Sequence, residues 1–195
     1  MDFTAGDQFR KAIKFTRGGE SMQQNILPAQ GSATYLESLE IAIEREIKAK
    51  FMYETMAKYA RENHMKNKLI FLAQEEQSHR DNLEDLYSKI AGKTKDFDQT
   101  IKYPSEESAA KYANIGMKDL LKTGIEKETE ASQFYTEMAT NTEETSIREI
   151  FYYLAEEELT HRRMLELQLK LYSGERPMAN EASVEMVPGV YKEWW

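Results

Sequence analysis

Glu76-Gln77-Ser78-His79 returns 82 residues later as Glu158-Leu159-Thr160-His161. On a helix, residues three apart share a face, so each motif turns a carboxylate and an imidazole the same way. Two further acids keep the same offset. Glu46 and Glu128 are also 82 apart, each followed three residues on by an alanine (Ala49, Ala131) and seven on by a tyrosine (Tyr53, Tyr135). The order along the chain is therefore Glu, Glu-x-x-His, Glu, Glu-x-x-His. A four-helix bundle that holds two metal ions in its core takes this donor set, one Glu from each of two helices and Glu-x-x-His from each of the others.

The repeat extends well beyond the donors. Residues 40–87 aligned without gaps on 122–169 give 16 identities in 48 positions, among them Ile43/Ile125, Met56/Met138, Ala73/Ala155 and Leu83/Leu165. Each half reads as a helical hairpin that cannot bury its apolar stripe alone, and two halves about a pseudo-twofold axis close one core. The first helix is expected from about Thr34 to Arg61, with Leu39, Ile43, Glu46, Ala49, Tyr53 and Met56 on one stripe. Glu44 lies about 200° round from Glu46 and faces solvent. A turn is expected at Asn63–Asn67, then a second helix from about Lys66 to Ala91, stopped by Gly92. Its stripe runs through Leu69, Leu72, Ala73, Glu76, His79, Leu83 and Ile90, with Glu75 at the boundary.

Residues 92–115 read as a long crossover, with a short helix over Ser105–Ala113. The third helix is placed at about 117–140 and the fourth ends near Tyr172. The domain reading is an N-terminal arm (1–34), a bundle (35–173) and a tail (174–195) that closes on Trp194-Trp195. A helix is expected around Phe9–Thr16 in the arm. The arm and the two terminal tryptophans are expected to pack on the bundle or on a second subunit. His64 falls in the expected turn and reads as exposed, not as a ligand.

Composition narrows the class. A chain of 195 residues, 41% hydrophobic and 31% charged, suits one soluble globular domain. A net charge of −8 leaves no basic stripe for nucleic acid. With no cysteine, disulfides, iron–sulfur clusters and thiolate zinc sites are excluded. The longest apolar run, Ile150–Ala155, is too short to span a bilayer, and the first 30 residues carry no signal-peptide core, so the expectation is a cytoplasmic protein without a membrane partner.

A buried charge must be hydrogen-bonded, neutralised or bound to metal. Four glutamates and two histidines converge here with no Lys or Arg on the same stripes. Two divalent cations balance four carboxylates, and mixed Glu/His ligation suits iron or manganese. Tyr53 and Tyr135 are either core aromatics whose hydroxyls need partners or donors that orient a ligand carboxylate and stand near the site for proton delivery.

At these residues the chain resembles the rubrerythrin-like members of the ferritin-like superfamily. The matching blocks are Ala42-Ile43-Glu44-Arg45-Glu46 through Tyr53, Phe71-Leu72-Ala73 through His79, and their second-half copies, within about 36–172. The resemblance implies an all-α ferritin-like four-helix bundle with a diiron centre. Glu46 and His79 would be terminal ligands of one iron, Glu128 and His161 of the other, with Glu76 and Glu158 bridging. It implies peroxide reduction, or reaction with oxygen, in defence against oxidative stress, and a homodimer or larger homo-oligomer. Rubrerythrin proper carries a four-cysteine rubredoxin domain; this chain has no cysteine, so the electron donor is expected to be a separate protein. Where the family has an extra glutamate three residues after its third-helix ligand, this chain has Ala131, which makes the site more symmetric. The alternatives are a ferroxidase or iron-storage protein of bacterioferritin or encapsulated-ferritin type, a manganese centre as in manganese catalase, and a structural bundle that is empty or holds zinc.

Overall fold

The computed structural model describes residues 32–99, 110, 112 and 115–175. It contains four long helices: α1 Ser32–Tyr59, α2 Asn63–Ala91, α3 Met117–Thr140 and α4 Thr145–Tyr172. The result is an all-α bundle of two hairpins, with no strand among the described residues. Almost all of the expected arm and tail, and most of the short helix expected over 105–113, lie outside the described residues. No helix among the described residues is long and apolar enough to cross a membrane.

The expected turn at Asn63–Asn67 is instead the first turn of α2, and the chain reverses over residues 60–62. Met65 is the reason. It is buried four residues before Leu69 and seven before Leu72, so the apolar stripe continues one turn toward the N-terminus. Burying that side chain outweighs the weak helix preference of two asparagines. His64 sits on the exposed side of this turn. At the other end, Gly92 takes the left-handed conformation (φ 65°) that closes α2. The Glu144 carboxylate caps α4 by accepting from the Ile147 N–H at 2.8 Å.

The core divides into two apolar clusters. One gathers the N-terminal half of α1 (Leu39, Ile43), the C-terminal half of α2 (Leu83, Ile90), the C-terminal half of α3 (Tyr135, Ala139) and the N-terminal half of α4 (Phe151, Leu154). The other takes the opposite halves, including Met56 from α1, Leu69 from α2, Leu121 from α3 and Leu165 from α4. Each hairpin is therefore antiparallel, while α2 and α3 run parallel. A parallel pair cannot be joined by a short turn, and a helix of 29 residues is about 43 Å long at 1.5 Å per residue. The crossover thus travels the length of the bundle, with Phe97 in the first cluster and Tyr112 in the second. Arg80 anchors its start through paired bonds to Asp98 at 2.9 and 3.1 Å, and Lys95 reaches Glu40 at 2.7 Å. Between the two clusters lies a layer that is buried but not apolar.

Candidate metal centre

That layer holds Glu46, Glu76, His79, Glu128, Glu158 and His161, none more than 3% exposed. The 3.6-residue period that packs Leu72 and Leu83 inward carries Glu76 and His79 inward with them, and α4 repeats the pattern with Leu154 and Leu165. The six residues form two overlapping groups of donors, Glu46–Glu76–His79–Glu158 and Glu76–Glu128–Glu158–His161. Glu76 and Glu158 belong to both.

The histidines face the carboxylates through Nδ1. His79 Nδ1 lies 3.3 Å from Glu158 Oε1, 3.6 Å from Glu46 Oε2 and 3.7 Å from Glu76 Oε2. His161 Nδ1 lies 3.4 Å from Glu158 Oε2, 3.6 Å from Glu76 Oε1 and 4.0 Å from Glu128 Oε2. The two rings stack with centroids 5.5 Å apart. These contacts are longer than hydrogen bonds. The two Glu158 contacts match the spacing of neighbouring donors on one cation, about 3 to 3.5 Å for ligand bonds near 2.1 Å, and the other four are slightly wider.

Tyr53 and Tyr135 cross between the halves. The Tyr53 hydroxyl, on the helix of Glu46, donates to Glu128 Oε1, and the Tyr135 hydroxyl, on the helix of Glu128, donates to Glu46 Oε1. Glu46 and Glu128 thus each give one oxygen to a tyrosine and turn the other toward a histidine. Burial and the facing carboxylates push both phenols well above their ordinary range, so both hydroxyls stay protonated as donors. The helical period places these tyrosines on the glutamate stripe; their partners depend on how the two hairpins dock.

The electrostatics describe a layer whose carboxylates are offset by retained protons rather than by Lys or Arg. Burial raises Glu46 and Glu128 well above the usual carboxylate range, reinforced by neighbouring carboxylates. Burial also opposes ionisation of Glu158 and Glu76, but contacts with His161 and His79 outweigh it and hold both lower. For the histidines, burial favours the neutral ring, yet the carboxylates raise both, His161 to about 10. Even so, Glu46 Oε2, Glu76 Oε1, both Glu158 oxygens and the Nδ1 atoms of His79 and His161 are buried without a hydrogen-bond partner. Unpartnered polar atoms at this depth are costly. A cation between them answers all of them together, and an all-carboxylate-and-imidazole set fits a divalent ion such as iron, manganese or zinc.

Gly124, four residues before Glu128 on α3, makes room for one of the tyrosines. A Cβ there would stand 2.9 Å from Leu165 Cδ1 and 3.6 Å from both Cε1 and the hydroxyl of Tyr53. The repeat already carried this signal, since the equivalent position is the small, fully buried Ala42. Gly124→Ala needs only the end of Leu165 to shift and gains helix preference of about 1 kcal/mol, so its stability should stay within about 1 kcal/mol of wild type. Gly124→Val must push on Tyr53 and should lose about 1–3 kcal/mol in chemical denaturation. Equal tolerance of Ala and Val would contradict this packing.

Fold and layer together define a ferritin-like bundle built around a dimetal carboxylate site. The Rubrerythrin family model matches residues 37–170, with a second match over 119–188, and the chain belongs to that family. Among solved structures, a hypothetical protein from Pyrococcus furiosus aligns with a TM-score of 0.57 and 22% identity, over 76% of this chain and 97% of that one. Wild-type KatB, a manganese catalase from Anabaena, aligns with a TM-score of 0.56 and 18% identity, over 82% and 87%. At these identities the likeness concerns the fold alone. No curated protein matches the chain.

Proposed function

We propose that the protein is a dimetal oxidoreductase that reduces peroxide at the layer between the two apolar clusters, with electrons from a separate donor protein. The observation that carries this reading is the pair of overlapping donor groups sharing Glu76 and Glu158. Glu46 and His79 would hold one ion, Glu128 and His161 the other, and the two shared glutamates would bridge. A reduced pair of ions so held supplies the two electrons needed to break an O–O bond. The chain's own groups set the conditions. Tyr53 and Tyr135 fix the orientation of Glu128 and Glu46 through their Oε1 atoms and keep a proton at each hydroxyl. The apolar clusters cover the layer on both sides along the bundle axis.

Manganese is the second reading. KatB is a manganese catalase with this fold, and the donor groups here are near-symmetric, with Ala131 in the place of an additional glutamate. The test is to load the protein anaerobically with ferrous iron and, separately, with manganese. The iron form is mixed with stoichiometric peroxide or with dissolved oxygen, and the manganese form is assayed for oxygen release from peroxide. Oxidation by peroxide at least about tenfold faster than by oxygen is expected of a peroxidase. The opposite order favours a ferroxidase, and vigorous oxygen release by the manganese form alone favours a catalase. Failure to bind two ions would end all three readings.

A further inference from the structure

Between α1 and α3 a cavity of about 270 Å³ runs from the surface down to the carboxylate layer. Its floor is formed by Glu46, Glu76, Glu128 and Glu158, and Lys48, Lys127 and Glu130 stand exposed at its rim. The walls between are apolar, built from Ala49, Phe51, Met52, Ala131 and Tyr112. The space exists because the repeat puts alanine three residues after both Glu46 and Glu128, on the same helix face as the glutamate. A larger side chain at either position would point into it.

Size and lining together are informative. Water takes about 30 Å³ of liquid volume, and hydrogen peroxide is scarcely larger, so a cavity made for that substrate alone could be far smaller than this one. The volume approaches that of small-molecule sites, which are apolar with a few placed polar groups. Both lysines at the rim are paired with acids, Lys48 with Glu44 at 2.5 Å and Lys127 with Glu130 at 2.7 Å. Arg45, stacked 4.6 Å over Phe134, lines the cavity with a guanidinium Nε–H that is buried and has no hydrogen-bond partner, a donor available to an oxygen of a bound molecule.

We infer that this cavity admits an organic hydroperoxide, with its O–O group toward the carboxylate floor and an apolar substituent as large as a cumyl group against the alanine-lined walls. This rests on the peroxide-reducing reading above and names its substrate class. The overall step is ROOH plus two electrons plus two protons giving ROH and water. The O–O bond breaks, the substituted oxygen leaves as the alcohol, the other as water, and a one-electron donor protein supplies both electrons.

The test compares cumene hydroperoxide with hydrogen peroxide on the ferrous-loaded full chain, following iron oxidation and cumyl alcohol. Binding of cumyl alcohol to the metal-free protein is followed in parallel by saturation-transfer NMR. The wild type should be oxidised by both peroxides at rates within about tenfold of one another, with one alcohol formed per hydroperoxide consumed. In Ala131→Phe, checked for helix content and metal stoichiometry, the ratio of cumene hydroperoxide to hydrogen peroxide rates should fall at least about tenfold and alcohol binding should disappear. Ala49→Phe fills the same space from α1 and should repeat the result. Reaction with hydrogen peroxide but not with cumene hydroperoxide, or an unchanged ratio and unchanged binding in both variants, overturns the inference while leaving the peroxidase reading intact. No reaction with either peroxide overturns that reading and the inference with it.

Discussion

Glu158→Gln is expected to abolish binding of the metal pair, whereas Glu46→Gln should weaken one ion and spare the other. The difference follows from the overlap of the donor groups: Glu158 serves both, Glu46 only one. Glu158 also makes the shortest contact to each histidine, 3.3 Å to His79 and 3.4 Å to His161 through different oxygens. The amide keeps the shape but gives up the negative charge and turns one of those two oxygens into a donor facing the imidazole it had contacted. Mutations one shell further out commonly lower metal affinity by about 10–100-fold. Loss of a shared ligand should exceed that, leaving a stoichiometry below one ion per chain at micromolar concentrations. Titration with manganese, read by calorimetry and by metal content after gel filtration, checks both variants, with circular dichroism as the control for folding. If Glu158→Gln still binds two ions tightly, or Glu46→Gln fails as completely, the bridging assignment is wrong.

The placement of that shared glutamate was legible from periodicity alone. Glu76 and Glu158 fall on largely apolar stripes, each with a histidine one turn further on, and the 82-residue repeat tied the two stripes to one axis. Glu44 read as outward for the same reason, and it is found paired with Lys48 at the surface. Where local pattern met tertiary packing, the reading thinned. Asn63 to Asn67 looks like a turn until Met65 is known to be buried. The tyrosine-to-glutamate bonds cross from one hairpin to the other, and no helical phase encodes how two hairpins dock. Ala131 was noticed as a missing glutamate, but the space it leaves depends on the separation of α1 and α3. Arg45 was legible only as part of a matching block, since its place over Phe134 depends on another helix.

Metal loading near neutral pH is expected to release protons, up to about four for each pair of divalent ions bound. The count comes from the charges in the layer. Without metal, burial and neighbouring carboxylates shift Glu46 and Glu128 toward the protonated form, the carboxylates shift His79 and His161 toward the doubly protonated form, and the histidines shift Glu76 and Glu158 toward the ionised form. Two imidazolium charges then balance two carboxylates. With two divalent ions, four ionised carboxylates and two neutral imidazoles balance as well, so protons and metal exchange as equivalent countercharges. The same protons set the sign of the pH dependence. In the unfolded chain the carboxyls titrate near 4.5 and the imidazoles near 6.5, well below the folded values for Glu46, Glu128, His79 and His161. From above pH 5 to about 10, where His161 titrates, the folded metal-free protein therefore binds more protons than the unfolded one. Its stability must fall as pH rises, by about 1.4 kcal/mol per pH unit for each proton so retained. Glu76 and Glu158, lowered in the fold, act oppositely and withdraw stability only below about pH 4.5. Thermal unfolding with chelator should thus show Tm dropping steadily between about pH 6 and 9. The metal-loaded protein, which has already surrendered these protons, should hold its Tm or gain over the same range. Calorimetric titrations in buffers of different ionisation enthalpy give the proton count directly. Fewer than about two protons per metal pair, or a metal-free Tm that climbs with pH, would mean that some other charge neutralises the layer.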